Sequence, residues 1–287
     1  MMLRGINFKK VWCASGVLNF FGEGYWFHKY WRRFGLDFDK ATFVAKTTTL
    51  NPNKGNMPLD SNYSPRELVP RCIIIKSFQG IVLNSVGLSG PGAKALFEAK
   101  ETEEESRWQD RIRPFFISFM SIAQSRQERL EELKEFVNLF KFYLPGFLAP
   151  VGLQINFSCP NTGLDISELV EETHESLEIV SVLNIPIVPK YNLELPAETA
   201  VDISKHPLCD AICISNAIPW GRLPGSINWE GIFGSKVSPL AHLGGGGLSG
   251  KPLLPLIVNW VRLARRLGFT KPINAGGGIL SKQDAKE

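Results

Sequence analysis

From about residue 40 onward, short β-rich runs alternate with helical stretches, and no low-complexity linker separates one from the next. That βαβα order constrains the fold most, because it predicts a parallel sheet covered by helices. The candidate strands are residues 42–47, 81–84, 115–119, 151–158, 185–190, 211–215 and 272–275. The helices are carried by periodicity: Leu130, Leu133, Val137, Phe140 and Leu144 recur at three- and four-residue steps while Glu131, Glu132, Lys134 and Glu135 fill the opposite face. Asp165 with Glu168 reads as an N-cap pair ahead of Ile166, Leu169, Val170, Leu177 and Val180. A further helix starts near Pro196. Leu253, Leu256, Ile257, Trp260, Leu263, Ala264 and Leu267 form another stripe, ended by Arg265, Arg266 and Gly268. Seven strands without an early GxGxxG helix entry favour a (β/α)₈ TIM barrel over a doubly wound sheet, with the eighth strand lacking before Glu287.

At 287 residues, 44% hydrophobic and 21% charged, the chain suits one domain spanning 1–287. Its 32 basic against 28 acidic residues leave +4, too mild and scattered to argue for nucleic acid but compatible with a small anion. Cys13, Cys72, Cys159, Cys209 and Cys213 form no CxxC and no zinc spacing, which points to reduced thiols in a cytoplasmic protein. The apolar stretch 11–21 is interrupted by Ser15, Gly16 and Asn19, and no segment approaches the roughly twenty apolar residues of a membrane span. A soluble chain without a membrane anchor is expected, and a homodimer is compatible with it. His28, His174, His206 and His242 have no metal or triad spacing.

Chemistry concentrates at strand ends, where α/β proteins place reactive groups. In residues 155–163, INFSCPNTG, Cys159 sits between Asn156 and Asn161 as an apolar strand runs out. A thiolate there can act as a base, whereas the other four cysteines read as small buried hydrophobes. Asn84 and Asn216 likewise follow apolar runs, and four amides at comparable strand ends suit one flat polar ligand. Lys46 and Lys190 end two strands, and an anion would partner them if they point inward. The glycine runs 244–250 and 276–278 are candidates for cradling phosphate.

Together these motifs resemble dihydroorotate dehydrogenases, the FMN-dependent barrel enzymes of pyrimidine biosynthesis. The resemblance runs through Ala14-Ser15-Gly16, the Lys46 strand with Asn51-Pro52 and Gly55-Asn56, NSVG at Asn84, NFSCPNTG, Lys190, Asn216, GGLSGKP and GGGI. It implies that Cys159 takes a proton from C5 of dihydroorotate while a hydride leaves C6 for flavin N5. Asn84, Asn156, Asn161 and Asn216 would hold substrate, and Lys46 would lie between substrate and flavin. Lys190 would face the N1 and O2 edge of the flavin. Ala14, Ser15, Gly16 and Asn156 would lie near the ring, and Gly246, Gly247, Gly277 and Gly278 would serve the phosphate. A cysteine base resembles the soluble class, but PNTG and GGLSGKP also occur in the membrane-associated class, so fumarate, NAD through a partner and quinone stay open as acceptors. Ala217 stands where the family usually has Ser or Thr. That departure keeps a dihydrouracil-type dehydrogenase as an alternative, and the abrupt end keeps a non-catalytic barrel chain.

Overall fold

A computed structural model describes residues 1–100, 107–108, 111–157 and 166–287. Six parallel strands form one sheet: β1 (Phe43–Val44), β2 (Phe115–Phe119), β3 (Val151–Asn156), β4 (Ile187–Tyr191), β5 (Ile212–Ile214) and β6 (Ile273–Ala275). Their spatial order follows the chain without reversal. A doubly wound sheet reverses at a switch point, so this topology belongs with the barrels. Helices α1 (Arg126–Tyr143), α2 (Ile166–Val180), α3 (Ala197–Ser204) and α4 (Leu254–Arg266) occupy the successive crossovers from β2 to β6.

One sequence expectation needs correcting. Residues 81–84 form a strand, but Ile81–Asn84 pairs antiparallel with Ile73–Lys76 on one side and Gly247–Gly250 on the other. With Ile218–Pro219 these make a separate four-stranded sheet, so the described parallel strands number six and not seven. Apolar alternation reports burial, but it does not report the direction of a strand's partner. The same sheet absorbs half of a supposed loop, since Gly247 opens a strand. Asp165, the expected cap of α2, lies outside the described residues.

Local chemistry explains the best-defined helix. Ser125 caps α1 by accepting from the Glu128 amide, and the Glu128 carboxylate accepts from the Ser125 amide at 3.1 Å, a reciprocal capping box. The buried Leu133, Phe136, Val137 and Phe140 then join the core beneath the sheet. Within α1, Arg129 forks onto Glu172 of α2 at 2.7 and 2.6 Å, joining adjacent crossovers through a buried ion pair.

Strand register separates the sheet's two faces. Phe43, Phe115, Ile117, Phe119, Leu153, Ile155, Ile187, Ile212 and Ile214 belong to the large core shared with the helices. The opposite face is apolar at its base, where Val44, Phe116, Val188 and Ala211 pack against Leu3 and Phe8 of the N-terminal hairpin segment. Higher up it becomes polar, because residues in register share a face. Ser118 lies beside Gln154, and one step further Asn156, Lys190, Cys213 and Asn274 form a continuous row across β3 to β6.

Candidate functional site

That row lies at the C-terminal ends of the strands, and its burial makes it unusual. Lys190 is only 7% exposed, yet no carboxylate or carbonyl among the described residues accepts a hydrogen bond from it. Burial pushes its pKa down, opposed by the neighbouring Cys213 thiol. Cys213 donates to the Asn274 side-chain oxygen at 3.1 Å, and burial pushes that thiol up to about 11. Asn216 donates to the Asn156 side-chain oxygen at 2.9 Å, so two asparagines expected at the site meet directly. One level lower, the Gln154 side-chain oxygen is buried without a hydrogen-bond partner among the described residues.

Lys46 is also 7% exposed, so both strand-end cations are buried. Its ammonium donates to the Ser89 carbonyl at 2.7 Å and lies 4.5 Å above the Phe20 ring. Burial lowers it to about 8, against the raising influence of Cys72 and Glu23. This has a pH signature in the ligand-free protein. The unfolded chain binds the Lys46 proton up to about pH 10.5 and the folded chain releases it near 8, so stability rises with pH between those values. At 1.36 kcal/mol per pH unit the gain is about 3 kcal/mol. Chemical denaturation of wild type and Lys46→Met across that window checks it: the rise should be smaller in the variant by about that amount, the buried Lys190 contributing in the same direction to both.

The surrounding loops are held by hydrogen bonds rather than by a core. Ser15 donates to the Ala45 carbonyl at 2.8 Å and shares a bond of 2.9 Å with Thr47, which in turn contacts Ser118. This chain of hydroxyls fixes the Ala14-Ser15-Gly16 loop beside β1, with Gly16 against the Lys46 stem. The NSVG loop after Asn84 is clamped by Asn53, which donates to the Gly87 carbonyl, and by Asn56, which donates to that of Ser85, both at 2.8 Å. Gly55 permits this approach: at φ +49° a Cβ there would meet the Val86 and Gly87 carbonyls at 2.6 Å.

Asn84 reaches the strand-end cluster through the antiparallel sheet. It is in register with Gly247, and a Cβ at Gly247 would stand 2.8 Å from the Ala217 methyl, next to Asn216. The two glycine runs also converge, since a Cβ at Gly278 would lie 2.7 Å from the Gly250 carbonyl. Their junction adjoins the short turn Lys251–Leu253 that leads into α4. Cys159 and Asn161 lie outside the described residues. Cys13, Cys72, Cys209 and Cys213 are all buried, as expected of small hydrophobes. For Cys213 that reading was incomplete, because its thiol faces the polar row. Sequence reasoning also missed Asn274, although PINAG repeats the strand-end asparagine signal seen at Asn84 and Asn216.

The two buried ammonium groups and the converging glycine backbones at the strand ends suit an anionic ligand. This is the arrangement of an α/β protein that binds an anionic ligand at its strand ends. Comparison with known proteins narrows the class. The family model for dihydroorotate dehydrogenase matches residues 4–287. The chain is 24% identical to the dihydroorotate dehydrogenase B (NAD(+)) catalytic subunit of Cutibacterium acnes, over 99% of this chain and 81% of that protein. It is 27% identical to dihydroorotate dehydrogenase A (fumarate) of Lactobacillus helveticus, over 89% and 73%. Against dihydroorotate dehydrogenase (quinone) of a Nocardioides species it is 26% identical, over 72% and 59%. The chain belongs to the dihydroorotate dehydrogenase family, a family of FMN flavoproteins.

Proposed function

We propose that the protein oxidises dihydroorotate to orotate in pyrimidine biosynthesis, as a cytoplasmic enzyme of the TIM-barrel type in which residues 1–287 form one FMN-binding domain. The observation that carries the reading is the row Asn156–Lys190–Cys213–Asn274, whose buried cation has no carboxylate or carbonyl partner among the described residues, at the strand ends of a family member.

The residues present fit FMN. Lys190 would face the ring's electron-rich edge, and the run from Gly246 and Gly247 to Gly250, together with Gly277 and Gly278, would hold the phosphate at the start of α4. Ala14, Ser15, Gly16 and Asn156 would border the ring. When bound, FMN supplies the two-electron acceptor that no side chain can provide. Dihydroorotate would sit over the ring among Asn84, Asn156, Asn161 and Asn216, whose amides match its amide and carboxylate edges. Lys46, held by Ser89 and Phe20, adds a positive charge between substrate and cofactor. Cys159 would remove the C5 proton from the substrate. The bond between Asn216 and Asn156 aligns two of these amides before substrate arrives, which reduces the ordering cost of binding.

Ala217 favours one second reading, a dihydrouracil-type substrate. Its methyl faces Gly247 and offers no hydrogen bond. The decisive experiment mixes FMN-loaded protein with dihydroorotate and a dye acceptor under anaerobic conditions. Dye reduction that depends on dihydroorotate and exceeds that with dihydrouracil is expected. Failure to reduce the dye with FMN bound would reject the function, and a preference for dihydrouracil would select the alternative.

A further inference from the structure

On the surface beyond the Ala14–Gly16 loop, the helix Trp26–Arg32 buries only His28. Trp26, Tyr30, Trp31 and Phe34 are 55, 55, 52 and 66% exposed, and Phe27 is also exposed. At 100° per residue the five fall within roughly 140° of arc, one face of the helix and its following turn. Their rings touch one another: Tyr30, Trp31 and Phe34 lie 5.4 to 5.6 Å apart by centroid. The Trp26 indole donates to the Leu68 carbonyl at 3.0 Å, which brings the exposed Leu68 and Val69 to the same patch. Monomeric soluble surfaces seldom leave so many large apolar side chains contiguous without using them.

Charge decides what the patch fits. Lys29, Arg32 and Arg33 fall outside the aromatic arc, are exposed, and form no ion pair among the described residues. The nearest following carboxylates are engaged elsewhere: Asp37 accepts from the Asp39 amide, and Asp39 lies 3.6 Å from Arg113. A second copy docked on the same face would set these three cations against their own equivalents. Nucleic acid would use the rings and the charges but would have little use for Leu68 and Val69.

We infer that this face binds the surface of an anionic lipid bilayer, with the aromatic arc at the acyl boundary and the three cations among the headgroups. This is peripheral adsorption. No helix among the described residues is long and apolar enough to cross a membrane. The inference stands independently of the substrate assignment, since it uses none of the strand-end site residues.

Sedimentation with vesicles tests it. The full FMN-loaded chain should pellet with phosphatidylcholine vesicles containing phosphatidylglycerol, with a blue shift in tryptophan emission, and should remain in solution with phosphatidylcholine alone. Added salt should release it. The variant Lys29→Gln/Arg32→Gln/Arg33→Gln should partition on the order of a hundredfold more weakly, at about 1 kcal/mol per cation near such a surface. Trp31→Ser/Phe34→Ser should lose the blue shift while retaining its bound flavin, which shows that the fold is intact. Three results would overturn the inference: no pelleting of wild type, equal pelleting of the triple variant, or retention on single-stranded oligonucleotide but not on vesicles. A concentration-dependent dimer abolished by the serine variant, without vesicle binding, would also reject it and assign the face to self-association.

Discussion

Cys159→Ala is expected to slow dihydroorotate-dependent reduction of bound FMN by roughly 10²- to 10⁴-fold, the range for a positioned general base. FMN affinity should stay the same, because the proposed task of Cys159 concerns a substrate proton and not the cofactor. A thiol acts as a base only when deprotonated, and an ordinary thiol has a pKa of about 8.5. The wild-type rate should therefore climb with pH toward that value and then level off. Cys159→Ser should recover part of the loss over alanine and keep rising at higher pH, since a hydroxyl gives up its proton less readily. Stopped-flow absorbance of the flavin across a pH series reads all of this. An alanine variant with undiminished reduction would remove Cys159 from the mechanism and leave the family membership untouched.

Lys190→Met should move two quantities in opposite directions. Its ammonium is buried in the row at the strand ends with no carboxylate beside it among the described residues, and burial already lowers its pKa. Methionine has nearly the same length and carries no charge, so the ligand-free protein should become more resistant to denaturant. FMN binding should weaken by about ten- to a hundredfold, equivalent to roughly 1.5 to 3 kcal/mol for a hydrogen bond to a charged partner. Fluorescence titration of FMN and denaturation of the apoprotein measure the pair. A stabilised variant with unchanged FMN affinity would show that Lys190 does not face the cofactor. A destabilised one would show that its stem, not its charge, matters to the fold. Stability given up for function is the pattern expected where a charge is held ready for a ligand.

Much of this site could be read from residue order, for a physical reason. In a parallel α/β chain each strand end is also a loop start, so the apolar run locates the functional residue that follows it. Lys46, Asn156, Lys190 and Asn216 were singled out by that rule, and so was Asn84, although its strand pairs antiparallel. The rule fails for residues inside strands. Cys213 and Gln154 look like core positions, and only register shows that they share a face with Lys190 rather than with the helices. It fails as well for the strand at 81–84, whose partners lie near residues 74 and 249. Nothing local to IVLN specifies an antiparallel neighbour more than 160 residues away.

The sequence by itself determined the alternation of strands and helices, the faces of the helices, and which residue types crowd the strand ends, because these depend on periodicity and on neighbours in the chain. Tertiary structure decided the rest. It set Asn156, Lys190, Cys213 and Asn274 at one level, drew the two glycine runs together at the start of α4, and buried Lys190 with no counter-charge among the described residues. Those relations join residues from different strands. They arise only when backbone hydrogen bonding fixes the register and burial excludes the water that would otherwise solvate the charge.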